Sequence, residues 1–376
     1  MTISPISNFA IAGLLSLLGL VSAANCPCGY KLDSPSSGSI LLTEAVETDF
    51  LHIGNAAKLD LWLPQEYRQT AQAANGPLGR SFDVKNVAAN PLRDPHSWAG
   101  SSVRGGDPGL QLWVNRTLTP GDSGGSMVHC AEIVMQRGDI LYGSFRIGLK
   151  TTTVNGTCGA FFFYRDDTSE IDMEFLSKQQ LPNNASVNLV IQSPENGGLG
   201  YTAPGSPNFA HVALPREPSS GFIEYRFDWL PGRVDFFADN KLVNSMTDNI
   251  PTAPGRLHIS HWSNGNPGWS AGPPSSDAAL TVSYVKAYFN SSDANISAAS
   301  MKACQLNTAT ATTCDIPEVD LSSSPAGPDG NGNGQTPFLT NSTDGNLPSL
   351  AMQKKACALV VVMHAVVLGT LLVWLF

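Results

Sequence analysis

The sequence predicts an all-β protein built as a sandwich of two sheets, and three observations carry that reading. From about Asn25 to Asn290, Gly, Pro, Asn and Ser interrupt the chain roughly every ten residues, the punctuation of many short strands. Between interruptions apolar and polar residues alternate: Leu110, Leu112 and Val114 against Gln111 and Asn115; Phe145, Ile147 and Leu149 against Ser144, Arg146 and Lys150; Ile223, Tyr225, Phe227 and Trp229 against Glu224, Arg226 and Asp228. A period of two asks for one buried face and one wet face. Long helical periods are missing, and so many strands exceed what one small sheet can bury, which leaves two packed antiparallel sheets as the economical solution. No internal repeat is visible, which argues against a propeller.

The two ends read as targeting segments rather than fold. Met1 to Ser22 contains the apolar run Ile11 to Val21, too short to span a bilayer, followed by Ser22, Ala23 and Ala24; residues 1–24 are expected to be a signal peptide. Ala356 to Phe376 is almost wholly apolar, with His364 its only strongly polar side chain, and Lys354 and Lys355 precede it. An ordinary membrane span usually carries basic residues on its cytoplasmic side. Small residues around Asn341, Ser342 and Thr343, a polar spacer and an apolar tail instead match a lipid-anchor (GPI) transfer signal over 351–376, with Gly345 or Asn346 as alternative attachment points. Residues 291–350, rich in Ser, Thr, Asn, Gly and Pro, cannot bury enough apolar surface to order themselves and are expected to be a stalk. The chain is thus expected to be a secreted monomer at the cell surface or wall, held to the plasma membrane by a lipid.

Cysteine usage fits an oxidising compartment. With Cys357 leaving in the tail, Cys26, Cys28, Cys130, Cys158, Cys304 and Cys314 remain. An even number suggests three disulfides, with 15 connectivities open and a local Cys304–Cys314 loop among them. Zinc is a weak rival at Cys26-Pro-Cys28, whose spacing is shorter than the usual ligand pair. Sequons at Asn115, Asn155, Asn184, Asn290 and Asn295 suit an exported surface protein. The formal charge of -9 and pI near 5.2 provide no basic stripe for nucleic acid, so the expected substrate is neutral or basic.

The chemistry sits in Tyr164 to Ser177, where Glu170, Asp172 and Glu174 occupy alternate positions. In a strand all three carboxylates share one face, while Ile171, Met173 and Phe175 take the other. Like charges so stacked repel, so a strand that keeps them uses them, and some must have raised pKa values. The bland alternative is a solvated polar face; the aromatic approach Phe161 to Tyr164 suits a lined cleft better. Phe162 and Tyr164 are in phase with Glu170, and Phe161 and Phe163 with the core. Glycosidases need two carboxyl groups flanking the scissile bond. Positions i and i+4 of a strand stand about 13 Å apart at the backbone, from which two glutamates can lean together; the spacing leaves retention and inversion both open. In Arg256 to Trp262, Leu257 and Ile259 hold one parity and Trp262 shares the other with His258 and Ser260, which places its indole on the polar side, where it can stack on a sugar ring.

The string E-I-D-M-E-F at Glu170 to Phe175 resembles the catalytic strand of glycoside hydrolase family 16, the laminarinase, lichenase and xyloglucan-transferase group. Tyr225-Arg-Phe-Asp-Trp229-Leu-Pro231 resembles the paired strands that follow, and Ser260-His-Trp262-Ser-Asn-Gly-Asn-Pro-Gly-Trp269 the tryptophan-bearing strand and loop. The similarity spans about Tyr142 to Phe289. It implies a concanavalin-A-like jelly roll and a retaining mechanism, with Glu170 as nucleophile, Glu174 as general acid/base and Asp172 tuning the nucleophile. Tyr164, Trp262 and Trp269 are the expected substrate contacts. The single residue between Asp172 and Glu174 matches the unbulged form found in lichenases and in plant and fungal transferases, which disfavours a strictly 1,3-specific endoglucanase.

Gly121-Asp122-Ser123-Gly124-Gly125 has the letters of a serine-protease nucleophile loop, but only His52 and His96 precede it, in no matching motif, and its composition reads as a turn. The histidines form no metal-like cluster, and no cofactor is expected; jelly rolls often hold a structural calcium ion, for which no ligand loop is readable here. Three functions remain: a hydrolase of β-1,3 or mixed β-1,3/1,4 glucan; a cell-wall transglycosylase in which a glucan or chitin acceptor captures the same intermediate; and a non-catalytic glucan-binding module, which loss of a glutamate would have favoured.

Overall fold

The structure, a computed structural model, describes residues 26–319 apart from 60, 122–123, 182–183, 195–203 and 307–311, together with 338–339. The expected signal peptide, anchor signal and attachment residues lie outside the described residues, as do Asp122 and Ser123 of the Gly-rich turn. Among the described residues no helix is long and apolar enough to cross a membrane.

The chain forms the two-sheet sandwich that the alternation demanded, with the jelly-roll fold that the resemblance implied. Along the cleft-bearing sheet the path runs Gln180–Leu181, Asn184–Gln192, Ser169–Leu176, Cys158–Asp166, Arg256–Trp262, Ser126–Met135, Gly79–Phe82 and Tyr67–Gln69. Its neighbours are antiparallel except for Gly79–Phe82, which runs parallel to Ser126–Met135. The second sheet runs Lys241–Met246, Arg233–Ala238, Ile223–Leu230, Ile140–Lys150, Ala278–Ser291, Gly109–Val114 and Val87–Asn90. A third, smaller sheet joins the hairpin Tyr30–Ser34 and Gly38–Leu42 to Cys314–Asp315.

The core lies between the two large sheets. Ile171, Met173, Phe175, Phe161, Phe163, Leu257 and Ile259 point inward from the cleft sheet and are essentially inaccessible to water. They meet Phe145, Ile147, Tyr225, Phe227 and Trp229 from the second sheet; ring centroids stand 5.3 Å apart for Phe161 and Phe227, 4.2 Å for Phe163 and Trp229, and 4.4 Å for Phe175 and Tyr225. Each such side chain contributes about 1.5–3 kcal/mol on full burial, so the inward phase of the acid-bearing strand is fixed by its apolar half.

Three expectations are corrected. The polar faces of Phe145 to Leu149 and Ile223 to Trp229 are not wet: Arg146, Glu224, Arg226 and Asp228 are all buried. The hairpin 30–42 and the segment 314–319 lie over that side of the sheet, and the charges pair beneath them. Arg226 holds Asp228 at 2.8 Å and Glu318 at 2.6 Å, while Arg146 donates to the Pro317 carbonyl at 2.9 Å. The chain after 290 is therefore not stalk from its start: a helix over Ala294–Leu306 and the strand Cys314–Asp315 belong to the folded unit.

Among the described residues there are two disulfides rather than three, and no Cys304–Cys314 loop. Cys26 pairs with Cys314 and Cys28 with Cys304, so the two late cysteines fasten the start of the domain to its end. Cys130 and Cys158 remain free and buried. The strand Arg256–Trp262 runs between theirs, since Ala131 pairs with His261 and Cys158 with Trp262. Two strand spacings, roughly 10 Å, exceed the Cα separation a disulfide can bridge. The Cys26–Cys314 bridge closes a loop of sequence separation 288. The C26S/C314S double variant is expected to lose about 2–5 kcal/mol of stability, seen as a lower urea midpoint; a midpoint equal to the parent's would contradict this role.

Candidate active site

The hairpin Cys158–Asp166 and Ser169–Leu176 carries the site on its outer face. Its register pairs Tyr164 with Glu170, Phe162 with Asp172 and Ala160 with Glu174, so an aromatic stripe runs beside the acid stripe. Asp172 is buried, and Glu170 and Glu174 are partly covered at the floor of a cleft. That cleft encloses a cavity of about 560 Å³ reached by Tyr164, Glu170, Asp172, Glu174, His258 and Trp262. A second cavity of about 410 Å³ continues beyond Glu174 and is lined by Asn75, Arg80, Trp262, Asn264, Asn266 and Trp269. All six residues singled out in the sequence therefore converge: five line the first cavity, and Trp269 with Glu174 and Trp262 lines the second.

Burial dominates the electrostatics of the three acids. It raises all three carboxyl pKa values above the ordinary range, and for Asp172 the charges of Glu170 and Glu174 add to it. Burial pushes Glu170 up to about 8 and Asp172 well above its usual value; the contact between the two carboxyls opposes the rise at Glu170 and adds to it at Asp172. The contact between the two carboxyls thus favours ionisation at Glu170 and protonation at Asp172. For Glu174 the upward push of burial is opposed by the Trp269 indole N–H at 3.3 Å, the Cys158 thiol at 3.5 Å and the charge of Arg80.

The loop after Trp262 is built to present Trp269. Asn264 accepts from Ser270 Oγ at 2.8 Å and donates to the Ala74 carbonyl at 2.7 Å, and the Trp269 amide closes on the Asn266 carbonyl at 3.0 Å. Gly76 allows this approach of the early chain, because a Cβ there would stand 2.4 Å from the Asn264 carbonyl oxygen.

Four cleft residues escaped the sequence reading. Glu132 accepts from Tyr67 Oη at 2.7 Å and pairs with His258 Nδ1 at 2.8 Å; the His258 ring lies between Phe162 and Tyr164, with centroids 4.8 and 5.5 Å away. Arg80 places its guanidinium 4.6 Å from the centre of the Trp262 ring. His258 shares the polar parity of Trp262, and Glu132 is the lone acid of an apolar strand, so both left a trace in the sequence. Arg80 and Tyr67 left none: they reach the cleft only through the pairing of Gly79–Phe82 with Ser126–Met135. Among the described residues no group of three His, Cys, Asp or Glu side chains is disposed to hold a metal ion.

The chain is 29% identical over 126 residues to a beta-glucanase of Paenibacillus macerans, an overlap covering 32% of this chain and 48% of that protein. It is 27% identical over 127 residues to a beta-glucanase of Bacillus subtilis (strain 168), covering 32% and 47%. The match thus spans about half the length of these curated relatives. Among solved structures, a prokaryotic beta-1,3-1,4-glucanase (lichenase) derived from a mouse hindgut metagenome superposes with a TM-score of 0.47 at 17% identity, covering 65% of this chain and 98% of that one. Apo Crh5 transglycosylase superposes with a TM-score of 0.44 at 17% identity, covering 65% and 84%. The family model for glycosyl hydrolases family 16 matches residues 95–286, half of the chain, including the acid strand and both tryptophans. The chain belongs to glycosyl hydrolases family 16.

Proposed function

We propose that the chain is a retaining, endo-acting glycosidase that cleaves β-1,3 or mixed β-1,3/1,4 glucan through a glycosyl-enzyme intermediate. The observation that carries this reading is the convergence of Glu170, Asp172 and Glu174 from one strand into one cleft; the beta-glucanase relatives support the substrate class. Glu170, kept ionised by the proton on Asp172, attacks the anomeric carbon while Glu174 gives its proton to the departing glycosidic oxygen. The sugar is then esterified to Glu170 and the leaving chain departs with a free hydroxyl. In the second half-reaction Glu174, now a carboxylate, takes a proton from the incoming hydroxyl as its oxygen displaces Glu170 from the anomeric carbon.

Transglycosylation is the second reading, and the cavity beyond Glu174 favours it. Its amide and indole lining can seat a sugar acceptor, glucan or chitin, in the place where water would otherwise enter. In either reading the enzyme acts as a monomer at the cell surface or wall, exported by its leader and tethered by a C-terminal lipid, with Tyr164, Trp262 and Trp269 against the substrate.

Glu170→Gln is expected to lower turnover by at least about 10³-fold with the fold and glucan binding intact; activity on laminarin, lichenan or chito-oligosaccharide donors at the parent's rate would refute the assignment. Product analysis on a donor and acceptor panel separates the two readings, because chain lengthening identifies transfer and shortening alone identifies hydrolysis. Asp172 also predicts a pH dependence of stability. Its folded pKa is raised, so the folded state binds the extra proton, and stability present below the unfolded value is lost as pH rises past it. Between about pH 4 and neutrality the parent's Tm should therefore fall more steeply than that of Asp172→Asn; parallel curves would show that Asp172 carries no such proton.

A further inference from the structure

Cys158 is buried and opens the strand beside the acids, opposite Leu176 on one side and Trp262 on the other. Its Sγ lies 3.5 Å from Glu174 Oε1. The Trp269 Nε1–H reaches that same oxygen at 3.3 Å. The thiol is also 3.6 Å from the Gly159 carbonyl, but one S–H donates to one acceptor at a time, and an ionised carboxylate is the stronger of the two. Burial, with the neighbouring Glu174 charge, raises the thiol pKa well above its usual value and keeps it protonated and able to donate.

We propose that Cys158 is a positioning residue for the acid/base: its S–H donates to Glu174 Oε1, which with the Trp269 indole fixes the carboxyl rotation and leaves Oε2 as the oxygen that carries the transferable proton into the cleft. The inference rests on the acid/base role given to Glu174 above. A proton placed on Oε1 would face two donors, so it resides on Oε2. After the proton has gone to the leaving group, the same two donors stabilise the carboxylate that must accept the next one. The titratable and charged groups facing Glu174 are Glu170 and Asp172 on its own strand, Cys158 on the strand beside it, and Arg80 from Gly79–Phe82. The strand on its other side sets the neutral Asn188 opposite.

The test is the pH profile of kcat/KM on a glucan the parent cleaves. Losing a donor to the ionised form raises the Glu174 pKa, so Cys158→Ala is expected to move the alkaline limb upward by about half to one pH unit and to lower kcat several-fold with KM nearly unchanged. Cys158→Ser, whose hydroxyl can still donate, should return the limb toward the parent's. Trp269→Phe removes the second donor to Oε1 and should move the limb in the same direction, which keeps the test open should Cys158→Ala prove too unstable to assay. If the Cys158 variants keep the parent's limb and lose only thermal stability, the thiol is packing and the inference is overturned. Glu174→Ala with azide separates the two levels: rescue by azide together with an unmoved limb in the Cys158 variants sinks this inference alone, whereas undiminished activity of Glu174→Ala sinks the acid/base reading with it.

Discussion

The site depends on a conflict held within one eight-residue strand. Ser169–Leu176 must place three acids side by side in a poorly hydrated cleft, an arrangement that repels and that loses hydration. What holds it there is the opposite face, where Ile171, Met173 and Phe175 are locked between two sheets. Because the period of a strand is two, moving one carboxylate out would draw an apolar partner from the core. The core thus keeps the acids in place, and burial raises their pKa values, so that protonation relieves the repulsion among them.

The same logic operates on the far side of the sandwich. Arg146, Glu224, Arg226, Asp228 and Lys286 form a buried charged ladder, roofed by the segments 30–42 and 314–319 with Glu318 among them. Buried pairs of this kind are weak sources of net stability, but breaking one by removing a partner costs several kcal/mol, about 3–5. They make the segments 30–42 and 314–319 part of the sheet's structure, and the disulfides Cys26–Cys314 and Cys28–Cys304 hold that roof closed. A rigid second sheet in turn fixes the core against which the acid strand is indexed.

The fold and the centre of the site were legible because both follow from the period of two. Alternation places Ile171 and Glu170 on opposite faces whatever the rest of the chain does, and parity alone put Trp262 beside His258 on the cleft side. Alternation does not say what covers a polar face, so the wet side expected at Arg226 and Asp228 is in fact roofed by residues nearly a hundred positions later. It does not order strands either: that Arg256–Trp262 runs between Cys130 and Cys158, and that Arg80 stacks on Trp262, are facts of sheet order. Likewise Cys158 read as a disulfide partner, and only the hairpin register brings its sulfur to Glu174.

The central claim is that Glu170, as the ionised member of a triad at the cleft floor, forms the covalent bond to the sugar. It is tested most directly by incubating the enzyme with a 2-fluoro-substituted glucan-oligosaccharide donor bearing a good leaving group, then digesting it and identifying the modified peptide by mass spectrometry. The account predicts a single glycosyl ester on Glu170 in the peptide spanning the acid strand; an ester on Asp172 or Glu174, or none while the donor is turned over, would contradict it.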